Sequence, residues 1–146
     1  MRPIVLIDSG PLIALFDRSD RYHERVKSYL RTFHGTLLTT WPVLTEVSHL
    51  LDFHLQVQLD FLEWVARGGV EVYEMAQSDL PALTEMMRTY TNVPMDLADA
   101  TLMYVAHREG HRRILSIDSD FDVYRMGRNG GLENVLWGRD NGGLDE

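Results

Sequence analysis

The stretch ILSIDSDF, residues 114–121, places Ile114, Leu115 and Ile117 directly ahead of Asp118 and Asp120, with Asp122 next in line. A short continuous apolar run of this kind reads as a strand buried on both faces, the pattern of parallel sheets. The opening of the chain is built the same way. IVLIDSGP, residues 4–11, runs from Ile4 to Ile7 and then places Asp8. Two buried strands each closed by a carboxylate pose a physical question, because a charge at the edge of an apolar interior is costly unless something meets it.

Working outward, Ser9-Gly10-Pro11 supplies a helix start, a capping residue with proline just inside. Residues 21–33 carry Tyr22, Val26, Tyr29, Leu30 and Phe33 at helical spacing, and Gly35 stops them. A short strand is expected over 36–40. Trp41-Pro42 opens a helix striped by Val43, Leu44, Val47, Leu50 and Leu51, and a further helix covers 55–66 ahead of Gly68-Gly69. Alternation over 70–75 predicts a strand. Ser78 or Asp79 caps a helix over 80–90, residues 92–95 form a loop, and a helix over 96–109 ends at Gly110. The last clear strand is 114–117, followed by a helical turn over 118–126 and an edge strand at 135–137. Strands alternating with helices give an α/β fold with a mainly parallel central sheet flanked by helices.

The 146 residues suit a single domain, 45% apolar and 25% charged, with enough apolar matter for a core. The last twenty residues carry six glycines, so a loose tail is expected from about residue 127. Cysteine is absent, which excludes disulfides, thiolate metal sites and cysteine nucleophiles. The apolar run at the N-terminus is too short for a signal-peptide core, and none approaches the ~20 apolar residues of a membrane span. A soluble, cytoplasmic protein without membrane attachment is expected. The formal net charge of −8 argues against nucleic-acid binding through a general positive surface. It leaves room for a nuclease, because an acidic site can hold Mg²⁺ or Mn²⁺ and let the ion meet the phosphate.

The carboxylates are not equivalent. Asp8 follows a buried strand, and ligand crevices of open parallel sheets lie outside the strands' carboxyl ends. A capping role is its alternative, but Ser9 or Gly10 can fill that, so a functional reading is favoured. Asp118 holds the same place on another strand, with a cap or turn as its alternative. In MDLADATLMYVA, residues 95–106, Asp99 and Thr101 interrupt an otherwise apolar helix. Asp96 fits the N-cap, which puts Asp99 at the third helical position, where the helix dipole contributes ~0.3–1 kcal/mol. The dipole makes the charge tolerable but does not explain its aim into an apolar element, so Asp99 is assigned to the site. Asp96 is assigned mainly to capping, with metal contact as a second role. Glu46 lies at the edge of the Val43–Val47–Leu50 stripe. Alone it would read as a boundary residue. Beside Asp8, Asp99 and Asp118 it would complete a magnesium or manganese site. Asp120 is a further candidate contact, whereas Asp122 reads as solvated.

Three fragments together resemble the PIN-domain ribonucleases, and within them the VapC-type toxins of toxin–antitoxin pairs: IDSGPLIALFDRSDRYH, TEV, and MDLADATLMYVAHREGHRRILSIDSDFDVYR. The resemblance runs to about Arg125 and rests on the ordered spacing of the set. It implies a three-layer sandwich with the acids at one end of the sheet. It implies that the four family acids fall on Asp8, Glu46, Asp99 and Asp118, with Ser116 in the place of the usual Ser or Thr. Asp120 matches an additional acid of many members. The implied activity is Mg²⁺- or Mn²⁺-dependent hydrolysis of RNA, leaving 5′-phosphate and 3′-hydroxyl ends. Glu46 binds metal or orients water; Ser9 and Ser116 orient carboxylates or water, or serve as caps and turns. A small antitoxin protein and a homodimer are the implied partners. The alternatives are an RNA-processing nuclease outside a toxin system and a non-catalytic binding scaffold.

Arg108, Arg112 and Arg113 precede the last strand, and Arg125 and Arg128 follow the acids. They can grip phosphates beside the cut, or the earlier ones can complement a helix dipole. His49, His107 and His111 are read as surface or packing residues. Other strand-end aspartate enzymes fit less well. Gly10 stands where a haloacid-dehalogenase-type phosphatase needs a second aspartate, and Lys27, the sole lysine, lies too early for a phosphoacceptor receiver domain. DSGPLIAL lacks a phosphate-binding glycine fingerprint.

Overall fold

The computed structural model describes residues 2–90, 93–118, 121, 124 and 131–137. Five strands form one sheet: β1 (Ile4–Ile7), β2 (Thr36–Thr39), β3 (Glu71–Val72), β4 (Arg113–Leu115) and β5 (Glu133–Asn134). Their spatial order is β3-β2-β1-β4-β5, and every pairing is parallel. The helices are α1 (Ser9–Phe16), α2 (His23–Arg31), α3 (Trp41–Leu50), α4 (Leu55–Ala66), α5 (Leu80–Thr89) and α6 (Leu97–Glu109). Successive residues Val5, Leu6 and Ile7 of the central strand are all buried. Neighbouring strand residues point to opposite faces, so both faces of the sheet are covered, as the apolar runs required.

The order of the strands locates the crevice. From β1 the chain moves outward through β2 to β3, then returns across the sheet to β4 on the other side of β1. The strand order therefore reverses at β1, and the connections leaving β1 and arriving at β4 part there. The carboxyl ends beside such a reversal form the ligand crevice of open α/β sheets. Asp8 stands at the end of β1, and its backbone N–H donates to Leu115 O as the last rung between β1 and β4.

Most helices fall where the apolar period placed them. The strands are shorter than expected, for a reason that lies in their partners. The expected strand over 70–75 is only Glu71–Val72, because β3 pairs with β2 alone and β2 stops at Thr39. The expected 114–117 strand is Arg113–Leu115, since β1 ends opposite Leu115. The expected edge strand at 135–137 is a 3₁₀ turn, Val135–Trp137, and the edge strand precedes it as β5. Asn134 causes the turn: its Oδ1 accepts the N–H of Leu136, two residues on, which bends the chain away from the sheet. Residues 131–137, inside the glycine-rich stretch expected to be loose in part, add a strand and bury Leu132 and Leu136. The rest of the expected tail, and most of the expected turn over 118–126, lie outside the described residues. Among the described residues no helix is long and apolar enough to cross a membrane.

Candidate metal-dependent active site

Four segments meet at the carboxyl rim of the sheet. β1 delivers Asp8, the loop after β4 delivers Asp118, the middle of α3 delivers Glu46 and the first turn of α6 delivers Asp96 and Asp99. A helix that feeds a parallel strand runs antiparallel to it, so the N-terminus of α6 reaches the same rim as the C-terminus of β4. An open cavity of about 490 Å³ results, lined by Asp8, Ser9, Glu46, Pro94, Met95, Asp96, Asp99 and Asp118. The structure thus brings Asp8, Glu46, Asp99 and Asp118 to one pocket, with Asp96 and Ser9 beside them. Asp120, the other candidate ligand, lies outside the described residues.

Asp8 is buried and held at both oxygens. Oδ1 accepts the Ser9 N–H at 2.8 Å, so Asp8 itself caps α1, in place of the expected Ser9 or Gly10. Oδ2 accepts the Ser116 hydroxyl at 3.2 Å. The same Ser116 Oγ accepts the Asp118 N–H at 3.0 Å, so one hydroxyl links two acids from opposite ends of the chain. Capping and site geometry are therefore one arrangement at Asp8, not competing roles.

Asp99 is the third residue of α6, and its N–H donates to the Asp96 carboxylate at 2.8 Å, the expected N-cap bond. The Tyr124 hydroxyl lies 3.4 Å from Asp99 Oδ2 and donates to Pro94 O at 3.0 Å. Thr101, the other polar residue of α6, donates to Ala98 O at 2.7 Å. Its oxygen then accepts from Thr40 at 2.7 Å, a buried bond that ties the start of α3 to α6. This bond fixes the helix carrying Glu46 against the helix carrying Asp99. Glu46 is half-buried and Asp118 exposed.

The electrostatics are strained. Burial first, and then the charges of Glu46 and Asp118, push the Asp8 carboxyl up to about 7, against the opposing bonds from Ser9 and Ser116. Burial, with Asp8 and Asp96 behind it, pushes Asp99 up to about 7 as well. Among the described residues no ion pair reaches Asp8, Glu46 or Asp99. Nor do three acidic or histidine side chains there already stand close enough to enclose an ion by themselves.

The donor set nevertheless fits a hard divalent cation. Its polar lining side chains all offer oxygen, with no imidazole or thiolate among them, and Pro94 and Met95 complete the wall. Mg²⁺ keeps several waters and is held through one or two carboxylates, which suits an open pocket better than a closed cage. Asp8, Asp99, Asp118 and Glu46 are the residues that would hold it.

The described cationic candidates lie elsewhere. Arg108 sits near the C-terminal end of α6, far along the helix from Asp99, and donates to Asp79 at 3.2 Å and to Tyr104 at 2.7 Å. Arg112 and Arg113 stand where β4 begins, at the rim opposite the acids. Arg125 and Arg128 lie outside the described residues. His49 and His107 are exposed and His111 half-buried, none of them in the pocket. Beside the acid pocket runs an apolar shelf that shares Glu46 and Asp96 and includes Trp41, Leu97 and Ala98. Trp41 is 62% exposed.

Two residues of this site carried no signal as isolated letters. Tyr124 follows Phe121 at helical spacing and both are buried, a pattern that marks a core turn without revealing a contact to Asp99. Asn134 makes two bonds to the backbone of Ser116, eighteen residues earlier.

Known proteins resemble this chain in sequence and in fold. Over 116 residues the chain is 24% identical to Ribonuclease VapC26 of Mycobacterium tuberculosis, covering 78% of this chain and 86% of that protein. Its fold is similar to the crystal structure of Mycobacterium tuberculosis VapC20, described as a Sarcin-Ricin loop cleaving toxin. The TM-score is 0.75 at 18% identity, over 88% of this chain and 97% of that one. The PIN domain family model matches residues 5–126, a span holding β1 from its second residue, β2 to β4 and all four candidate acids, and the chain belongs to the PIN-domain family.

Proposed function

We propose that this chain is a single-domain, Mg²⁺- or Mn²⁺-dependent endoribonuclease, the toxin of a type II toxin–antitoxin pair. The observation that carries the chemistry is the convergence of Asp8, Glu46, Asp99 and Asp118 on one open pocket. Carboxylates kept this close repel one another, and a divalent ion relieves that repulsion. When bound, it supplies positive charge against the phosphate and makes hydroxide available from water near neutral pH.

The protein's part is to hold and to aim. Ser9 and Ser116 fix the two oxygens of Asp8, leaving their remaining lone pairs for a ligand. Asp96 secures the first turn of α6 and so the position of Asp99. Glu46, from the middle of α3, takes metal or orients the attacking water. The exposed Trp41 indole beside the pocket offers a face on which a nucleobase can stack.

The toxin reading rests on the likeness to VapC26 and VapC20. It calls for a cytoplasmic protein, a small antitoxin that covers the acid pocket, and a homodimer. Exposed Leu50, Phe53, Leu55, Leu59 and Leu62 on α3, α4 and the turn between them give a protein partner an apolar surface. Purified protein should cleave structured RNA with Mg²⁺ or Mn²⁺, stop with EDTA, and lose cleavage in Asp8→Asn. Undiminished cleavage by Asp8→Asn, or cleavage indifferent to EDTA, contradicts the reading.

A further inference from the structure

We propose that Asn134 is a positioning residue for the acid pocket: its carboxamide stands in for a missing stretch of strand and fixes Ser116, through which it sets both Asp8 and Asp118. This rests on reading that pocket as the reaction centre.

β4 pairs with β1 as far as Leu115 and with β5 as far as Ile114. Ser116 comes next. It is fully buried, so its backbone N–H and C=O both need partners, and among the described residues no strand is left to give them. Asn134 gives both. Its Nδ2 donates to Ser116 O at 2.8 Å, and its Oδ1 accepts the Ser116 N–H at 3.3 Å. A carboxamide has the donor and acceptor of one peptide unit, which no carboxylate or aliphatic side chain of that size possesses. A longer β5 would satisfy the same groups with backbone. The side chain does so while letting the chain turn away at Val135.

Ser116 then passes the constraint on. Its hydroxyl bonds Asp8 Oδ2 and the Asp118 N–H, so a displaced Ser116 backbone misplaces two acids together. The turn that carries Asn134 is anchored from outside. Arg25 of α2 donates to Leu136 O at 3.0 Å, and its guanidinium lies 4.3 Å from the Trp137 ring centre. An asparagine that served only to close the sheet edge would leave the acids untouched.

The test compares Asn134→Ala, Ser116→Ala and the double variant. Asn134→Ala is expected to lower kcat for RNA cleavage by about 10–100-fold and to weaken Mn²⁺ binding, measured by calorimetry, by a similar factor. KM for RNA should stay within about twofold, because Asn134 acts through Ser116 and the acids rather than on the RNA. In the Ser116→Ala background the same change should cost less than about threefold, because coupled residues are not additive. Independently of activity, hydrogen exchange of the Asp118 amide should quicken by about tenfold or more while the Leu6 and Ile7 amides keep their protection. Additive losses in the double variant, or an unchanged Asp118 amide, overturn the proposal. If wild-type protein cleaves no RNA, the nuclease reading fails, and the Asp118 amide and Mn²⁺ affinity still judge Asn134. Should Asn134→Ala not fold, Asn134→Asp carries the same measurements, since it keeps the acceptor bonds and loses the donor to Ser116 O.

Discussion

Asp8 and Asp99 are carboxyl groups that the fold makes reluctant to ionise, both brought to about 7 chiefly by burial. The sign of the consequence follows from proton counting. Between the ordinary carboxylate range and neutrality the folded chain binds more protons than the unfolded one, so stability is lost as pH rises through that window. Without divalent ions, the melting temperature is expected to fall from pH 5 to pH 8, and added Mg²⁺ should restore most of the loss at pH 8. A melting temperature that climbs over that range in EDTA contradicts this. The same repulsion separates activity from stability. Asp99→Asn should reduce cleavage on the order of a hundredfold or more, yet leave the metal-free protein as stable at pH 8 as wild type, or more so, by thermal melt. These two acids were legible in the sequence because each is set against an apolar strand or helix, where a charge is costly unless something meets it. Asn134 and Tyr124 were not, because each acts only through groups that folding brings near.

At the scale of the element, α3 and α6 carry one candidate ligand each and meet through the Thr40–Thr101 bond. Thr101→Val keeps the shape but leaves the buried Thr40 hydroxyl without its acceptor, an expected cost of about 1–3 kcal/mol in urea unfolding. A loss under about 0.5 kcal/mol would show that the two hydroxyls do not couple the helices. Gly110 ends α6 with φ +75°, a conformation open to glycine, and its N–H returns to Ala106 O. Helices such as α4 and α6 could be read from the sequence to within a residue, since their period and caps are local. Strand lengths could not. β3 and β4 end where their neighbours end, and that is a property of pairing that no window of sequence contains. The 3₁₀ turn at Val135–Trp137 was misread as a strand for a related reason: its apolar letters fit either state, and the side chain of Asn134 decides between them.

Across the whole molecule, topology does what no single motif can. The reversal of strand order at β1 opens a crevice at one rim, and the acids, scattered from residue 8 to residue 118, fall there: Asp8 and Asp118 follow strands that end at that rim, Asp99 stands in the first turn of α6, and Glu46 in the middle of α3. The ordered set of acids was therefore readable from the chain, whereas the placing of Arg108, Arg112 and Arg113 toward the opposite rim was not. The apolar surface between Leu50 and Leu62 belongs to this scale too. If it is where two copies meet, Leu59→Glu with Leu62→Glu should turn a dimer into a monomer in light scattering, without altering the circular dichroism. A dimer of unchanged mass would move the interface elsewhere. The most direct measurement of the central claim is anomalous diffraction from crystals soaked in Mn²⁺. The expected result is a peak in the pocket, within bonding distance of Asp8 and at least one of Asp99 and Asp118. Soaked crystals with no peak there, or with Mn²⁺ bound at another surface, would contradict it.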